Sequence, residues 1–241
     1  MDPLQDLIPT ENHHDRHAWL YDWGRSLPSL LTQRFLATVS ASKIESALLD
    51  VRRAYRLLHE YQRLVLDAVD YIGKEFGLTY VGGWPKFSHA TPREGTGQLS
   101  NWAWDWLNMV LYEFHFRKTL PDGSRLRFSV LLISDTGYFC APDDRLEKTR
   151  VSGYLPAAKS ATKLGFFLSV KEWDVEIVGD KAAMRRFIET GGELPAIFAA
   201  KGILGKCVDL ANIASEEKTQ ALLEEIAAFA KSGGIPLLLR G

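Results

Sequence analysis

The chain has 241 residues, enough for one large domain with a real core, and 46% hydrophobic and 24% charged residues are ordinary for a soluble globular protein. Basic and acidic residues nearly cancel, 29 against 30, so no global field draws the chain to nucleic acid or to an anionic membrane. Two cysteines without C-x-x-C spacing exclude a disulfide framework, no apolar run approaches the roughly 18 residues of a membrane span, and the first residues lack a signal-peptide pattern, so a cytoplasmic location is expected.

Residues 1–16 show no periodicity and read as a flexible tail, with His13, His14 and His17 too poorly supported by carboxylates or cysteines to be a metal site. Residues 17–241 read as one α+β domain. Trp19, Trp23, Leu27, Leu31 and Phe35 recur at spacings of four and predict a helical core stripe. The next element is much longer. From Ser42 to Phe76, the residues Ile44, Leu48, Val51, Tyr55, Leu58, Val65, Val69, Ile72 and Phe76 alternate spacings of four and three, interrupted only by Gln62. Ser42 with Glu45 suggests a capping box and Gly77 a stop. About 35 residues at 1.5 Å rise span about 50 Å, so the helix either crosses the whole sheet or projects to pair with a second copy. Apolar residues outside the seam, Leu49, Leu57, Leu64 and Leu66 among them, favour a helix mostly buried within its own domain.

Leu78–Val81 is expected to be a strand broken by Gly82-Gly83 and Trp84-Pro85. The following stretch, FSHATPREGTGQ at 87–98, reads as the longest loop and holds His89 and Arg93. Trp102, Trp104 and Trp106 precede the best-specified element, a hairpin over about 101–139 whose two halves alternate around Pro121-Asp122-Gly123. A three-residue loop with Gly123 in the left-handed conformation sets Leu120 opposite Ser124, Phe116 opposite Phe128, Phe114 opposite Val130 and Tyr112 opposite Leu132. That apolar face is expected to be the core face. The other carries Arg117 opposite Arg127, His115 opposite Ser129, Glu113 opposite Leu131 and Leu111 opposite Ile133. Beyond a second long connection, Leu164–Lys171 and Val175–Val178 read as strands, Asp180 as the cap of a short helix ending before Gly191-Gly192, and Ile203–Leu210 as a further strand. Ser215–Lys231 is an amphipathic helix, and the apolar tail Ile235–Leu239 could add an edge strand. The predicted fold is α+β, a mainly antiparallel sheet built on the hairpin and packed against the long helix (about 42–76) and the C-terminal helix (about 215–231).

Catalytic signatures are sparse. G-x-S-x-G, H-E-x-x-H, GxxxxGK[ST] and GxGxxG do not occur, and Cys207, in an apolar strand setting, is expected to be an unreactive thiol. A metal-nuclease arrangement could draw on Glu113, Asp135, Lys171 and Glu172, but the usual acidic pair followed by Glu-x-Lys is not legible. The candidate ligand-binding set is Glu113, His115, Arg117, Arg127 and Ser129 on the second hairpin face. Glu113 and His115 are two apart on one strand and so point the same way. Two arginines directly opposite repel, which favours an anion or an acidic segment between them. The sequence therefore predicts a binding or interaction protein for a protein partner or small anionic ligand, with a homodimer through the long helix also open. No membrane association, specific nucleic-acid binding, metal or cofactor is expected. The alternative is an enzyme or nucleic-acid-processing protein, for example a metal-dependent hydrolase, using the same Glu113, His115, Arg117 and Arg127 face.

Overall fold

The turn decides the sheet. In the computed structural model, which describes residues 41–85, 111–147, 150–170 and 180–240, Gly123 has φ +83° and its amide donates to the Leu120 carbonyl at 2.9 Å. The Leu120 amide in turn donates to the Ser124 carbonyl at 2.8 Å. Asp122 Oδ1 accepts from both the amide and the hydroxyl of Ser124, 2.9 and 2.7 Å, which closes the three-residue loop. From there β2 (Leu111–Thr119) and β3 (Arg125–Ile133) pair antiparallel in the register read from the sequence, through to Leu111 opposite Ile133.

Among the described residues, β1 (Thr79–Pro85), β4 (Lys163–Ser169) and β5 (Leu204–Asp209) join them in a five-stranded antiparallel meander in the order β1-β2-β3-β4-β5. The glycine pair expected to break β1 lies inside it. A register shift between Tyr80 and Gly82 absorbs one residue as a bulge. Gly83 is held to glycine by space, because a Cβ there would stand 2.4 Å from the Glu113 carbonyl oxygen. Pro85 is tolerated because β1 is an edge strand among the described residues. The expected strand at 175–178 and the residues 101–110 of the expected hairpin lie outside the described residues.

The described helices are α1 (Ala41–Glu75), α2 (Lys181–Glu189), the short α3 (Ala196–Ala200), and α4 (Glu216–Ser232). Asp180 and Ser215 cap α2 and α4, accepting from the amides of Ala183 and Lys218 respectively, at the residues where the sequence put them. α1 is already helical at Ala41, the first described residue, so Ser42 lies inside the helix rather than at its cap. It ends as expected: Gly77 has φ +60°, and the amides of Gly77 and Leu78 close onto the Lys74 and Gly73 carbonyls. The apolar tail is not an edge strand. Ile235 and Leu237 are buried from an irregular segment, and the Arg240 amide donates to the Glu75 carbonyl.

The chain forms two compact units, Met1–Asp67 and Ala68–Gly241. In the second, the face of Phe116, Phe128 and Phe166 is core, as expected. The Phe128 ring lies 5.8 Å from Phe76, 6.2 Å from Phe116 and 5.9 Å from Phe166, and a Cβ on Gly73 would collide with the Phe116 ring. α4 covers the same face further along: Lys206 pairs with Glu225 at 2.7 Å, and Gly233 fits against Leu204 only without a Cβ.

The opposite face, however, is not simply polar and solvated. Leu111, Leu131, Ile133 and Phe167 form a second core with Met184, Phe187 and Ile188 of α2. Phe187 stacks on Phe167 at 5.0 Å, and Gly165 clears room for its ring. The sheet is thus lined by helices on both faces. The first unit, as far as it is described, is the N-terminal part of α1. The expectation that most of this helix is buried fails there, since residues 51–60 are exposed throughout while Val65, Val69, Ile72 and Phe76 are buried.

Candidate functional site

Glu113 and His115 stand on β2, and Ser129 on β3 directly opposite His115. Alternation along each strand brings all three to the face that carries the second core, at the end nearer the turn, where the apolar residues give way. Their side chains form a chain of hydrogen bonds. His115 Nε2 is 2.9 Å from Glu113 Oε2, and His115 Nδ1 is 2.7 Å from Ser129 Oγ. A carboxylate can only accept, so Nε2 carries the proton and donates to Glu113. In the neutral ring Nδ1 is then an acceptor, and the Ser129 hydroxyl donates to it.

Burial ranks the three. Glu113 and Ser129 are 5% and 4% exposed, whereas the His115 side chain keeps 21%. A carboxylate this deep needs a partner to offset its lost hydration, and the imidazole N–H supplies one. On the β1 side His115 faces Gly82 in the register. Arg117 and Arg127 follow on the same face, opposite each other in the register, the first exposed and the second half-buried. Beyond Arg127, β4 brings the fully buried Ser169 into pairing. The sequence did not point to Ser169. Extending the hairpin register across β4 would have found it, but a connection of about 30 residues hides that register.

All five predicted residues therefore share one face, and three of them are joined by hydrogen bonds. The other candidates disperse. Asp135 Oδ1 caps its own turn by accepting from the Gly137 amide at 2.7 Å. His13, His14, His17, His89, Arg93, Trp102, Trp104, Trp106, Lys171 and Glu172 lie outside the described residues. Among the described residues, no three His, Cys, Asp or Glu side chains gather as metal ligands. No helix there is long and apolar enough to cross a membrane. Burial pushes the Cys207 thiol up to about 12 and raises that of Cys140, so neither is an activated nucleophile.

No curated protein and no solved structure matches this chain. One family model does, over residues 41–233, a span that takes in α1, the whole sheet and α4. On that match the chain belongs to the PM0109 family.

Proposed function

We propose that the protein is a binding protein whose polar sheet face takes an anionic ligand, either a small molecule or an acidic segment of a partner. The observation that carries this reading is the imidazole of His115, held at both nitrogens at 2.9 and 2.7 Å beside the opposed Arg117 and Arg127. Fixed polar groups bind without first losing rotamer freedom, and guanidinium forks match phosphate or carboxylate oxygens. The test is calorimetric titration of the wild type and Arg127→Ala with phosphate, nucleotides and short single-stranded DNA, at low and high salt. Binding that weakens in the variant, and weakens further with salt, supports the proposal. Equal, negligible binding by both proteins refutes it.

A second reading rests on α1. Ile44, Val51 and Leu58 repeat every seven residues, with Leu48 and Tyr55 between them, and Leu48, Tyr55 and Leu58 are 50%, 59% and 48% exposed. Seven-residue spacing of this kind is what a second copy of the same helix would match, and the lone polar Gln62 on the stripe would fix the pairing register. We propose that this stretch of α1 joins two copies of the chain.

A further inference from the structure

We propose that Ser129 is a nucleophile, and that the protein hydrolyses small carboxylic esters whose acyl part carries a negative charge. The inference rests on the anion-binding reading only for where that charge sits. Its own warrant is the hydrogen-bonded order Ser129 Oγ, His115 Nδ1, His115 Nε2, Glu113 Oε2, with contacts of 2.7 and 2.9 Å. A hydroxyl within reach of a base, with that base oriented by a third group, is the arrangement that activates a serine. Such sets are recognised by geometry rather than sequence motif, so the absence of G-x-S-x-G does not count against it.

The surroundings fit the roles. Glu113 is buried beneath the ring, where it holds the tautomer in which Nδ1 accepts, and where it would stabilise the imidazolium. His115 is the most exposed of the three, its side chain 21% against 4% for Ser129, and Gly82 stands opposite it on β1. β3 is paired on both sides, so its amides are committed to the two ladders and cannot serve as oxyanion donors. Arg127, two residues before Ser129 on the same face, and Arg117 opposite it are the cations placed to meet negative charge.

In the reaction Ser129 Oγ bonds to the carbonyl carbon while its proton passes to His115 Nδ1. Collapse of the tetrahedral species breaks the bond to the alcohol oxygen, which leaves with that proton. The acyl-serine is then attacked by a water that gives its proton to the same nitrogen. The product acid departs, and Ser129 regains its hydrogen. Ser129 and His115 are the catalytic residues, and Glu113 is a positioning residue.

The experiment treats the full chain with a fluorophosphonate probe and maps the adduct by mass spectrometry, alongside hydrolysis of p-nitrophenyl acetate and p-nitrophenyl hemisuccinate. An adduct on Ser129, hydrolysis lost in Ser129→Ala, a fall of about 100-fold or more in His115→Gln, and preference for the hemisuccinate are expected. Glu113→Gln should displace the pH–rate profile, and Glu113→Asp should restore it, which a merely structural carboxylate would not do. Ser129→Cys guards against misfolding of the alanine variant: the introduced thiol should be alkylated by iodoacetamide at pH 6 faster than Cys140 of the same molecule. No adduct on the wild type, together with an introduced thiol no faster than Cys140, overturns the proposal and leaves a structural hydrogen-bond chain. Phosphate binding in the parallel titration would then still uphold the anion site, so the two readings fail separately.

Discussion

Phe128→Ala probes the packing that holds the sheet to its helices. The side chain is fully buried and touches three aromatic rings, Phe76 from the end of α1, Phe116 on the neighbouring strand and Phe166 on the other. Truncating a buried phenylalanine costs about 3 to 5 kcal/mol. Ring pairs contribute about 0.5 to 1.5 kcal/mol each beyond area, which places this site at the upper end, about 4 to 5 kcal/mol. Against a total stability of about 5 to 15 kcal/mol that is a large share. With a urea slope of about 2 kcal/mol/M the midpoint should fall by about 2 M. The comparator is Tyr80→Ala, whose side chain meets Phe116 at 5.5 Å but is 52% exposed, and which should lose far less. A loss under about 1 kcal/mol for Phe128→Ala would mean that this face is not the core.

Gly165→Ala should destabilise by about 1 to 3 kcal/mol, read by urea melts, because the new Cβ would sit 2.9 Å from the Phe187 ring on the second core; no change would mean that α2 packs loosely. Leu58→Asp should fold normally, since the side chain is 48% exposed, and should shift sedimentation toward monomer; an unfolded variant or an unchanged sedimentation profile contradicts pairing through α1. Cys207 should resist a disulfide reagent at pH 8 in the folded protein and react once urea unfolds it, with fast labelling of the native thiol as the contrary result. The same thiol sets a pH trend. Its folded value lies above the unfolded one, so its contribution is fully present below about pH 9 and is lost as pH rises toward about 12. Cys207→Ala should therefore lose less stability than the wild type between pH 9 and 11.

Whatever local rules control was legible in the order of the amino acids. The hairpin register followed from one turn, because Pro121-Asp122-Gly123 fixes loop length, and a slip of one residue would exchange the faces of every strand position. The caps at Asp180 and Ser215 and the stop at Gly77 were legible because each satisfies orphan backbone groups with its own side chain or φ. Strand alternation and that register together suffice to assign Glu113, His115, Arg117, Arg127 and Ser129 to one face. What the face meets is a matter of packing between distant segments. Alternation says which residues lie together but not which side is covered, and α2 turned half of the face into a second core, while Glu113 and Ser129 are themselves buried beside His115. Packing also divided α1, because periodicity describes an apolar stripe along its whole length while burial is decided by what each part meets: Val65, Val69 and Ile72 are buried, whereas Leu48, Tyr55 and Leu58 on the same stripe are exposed.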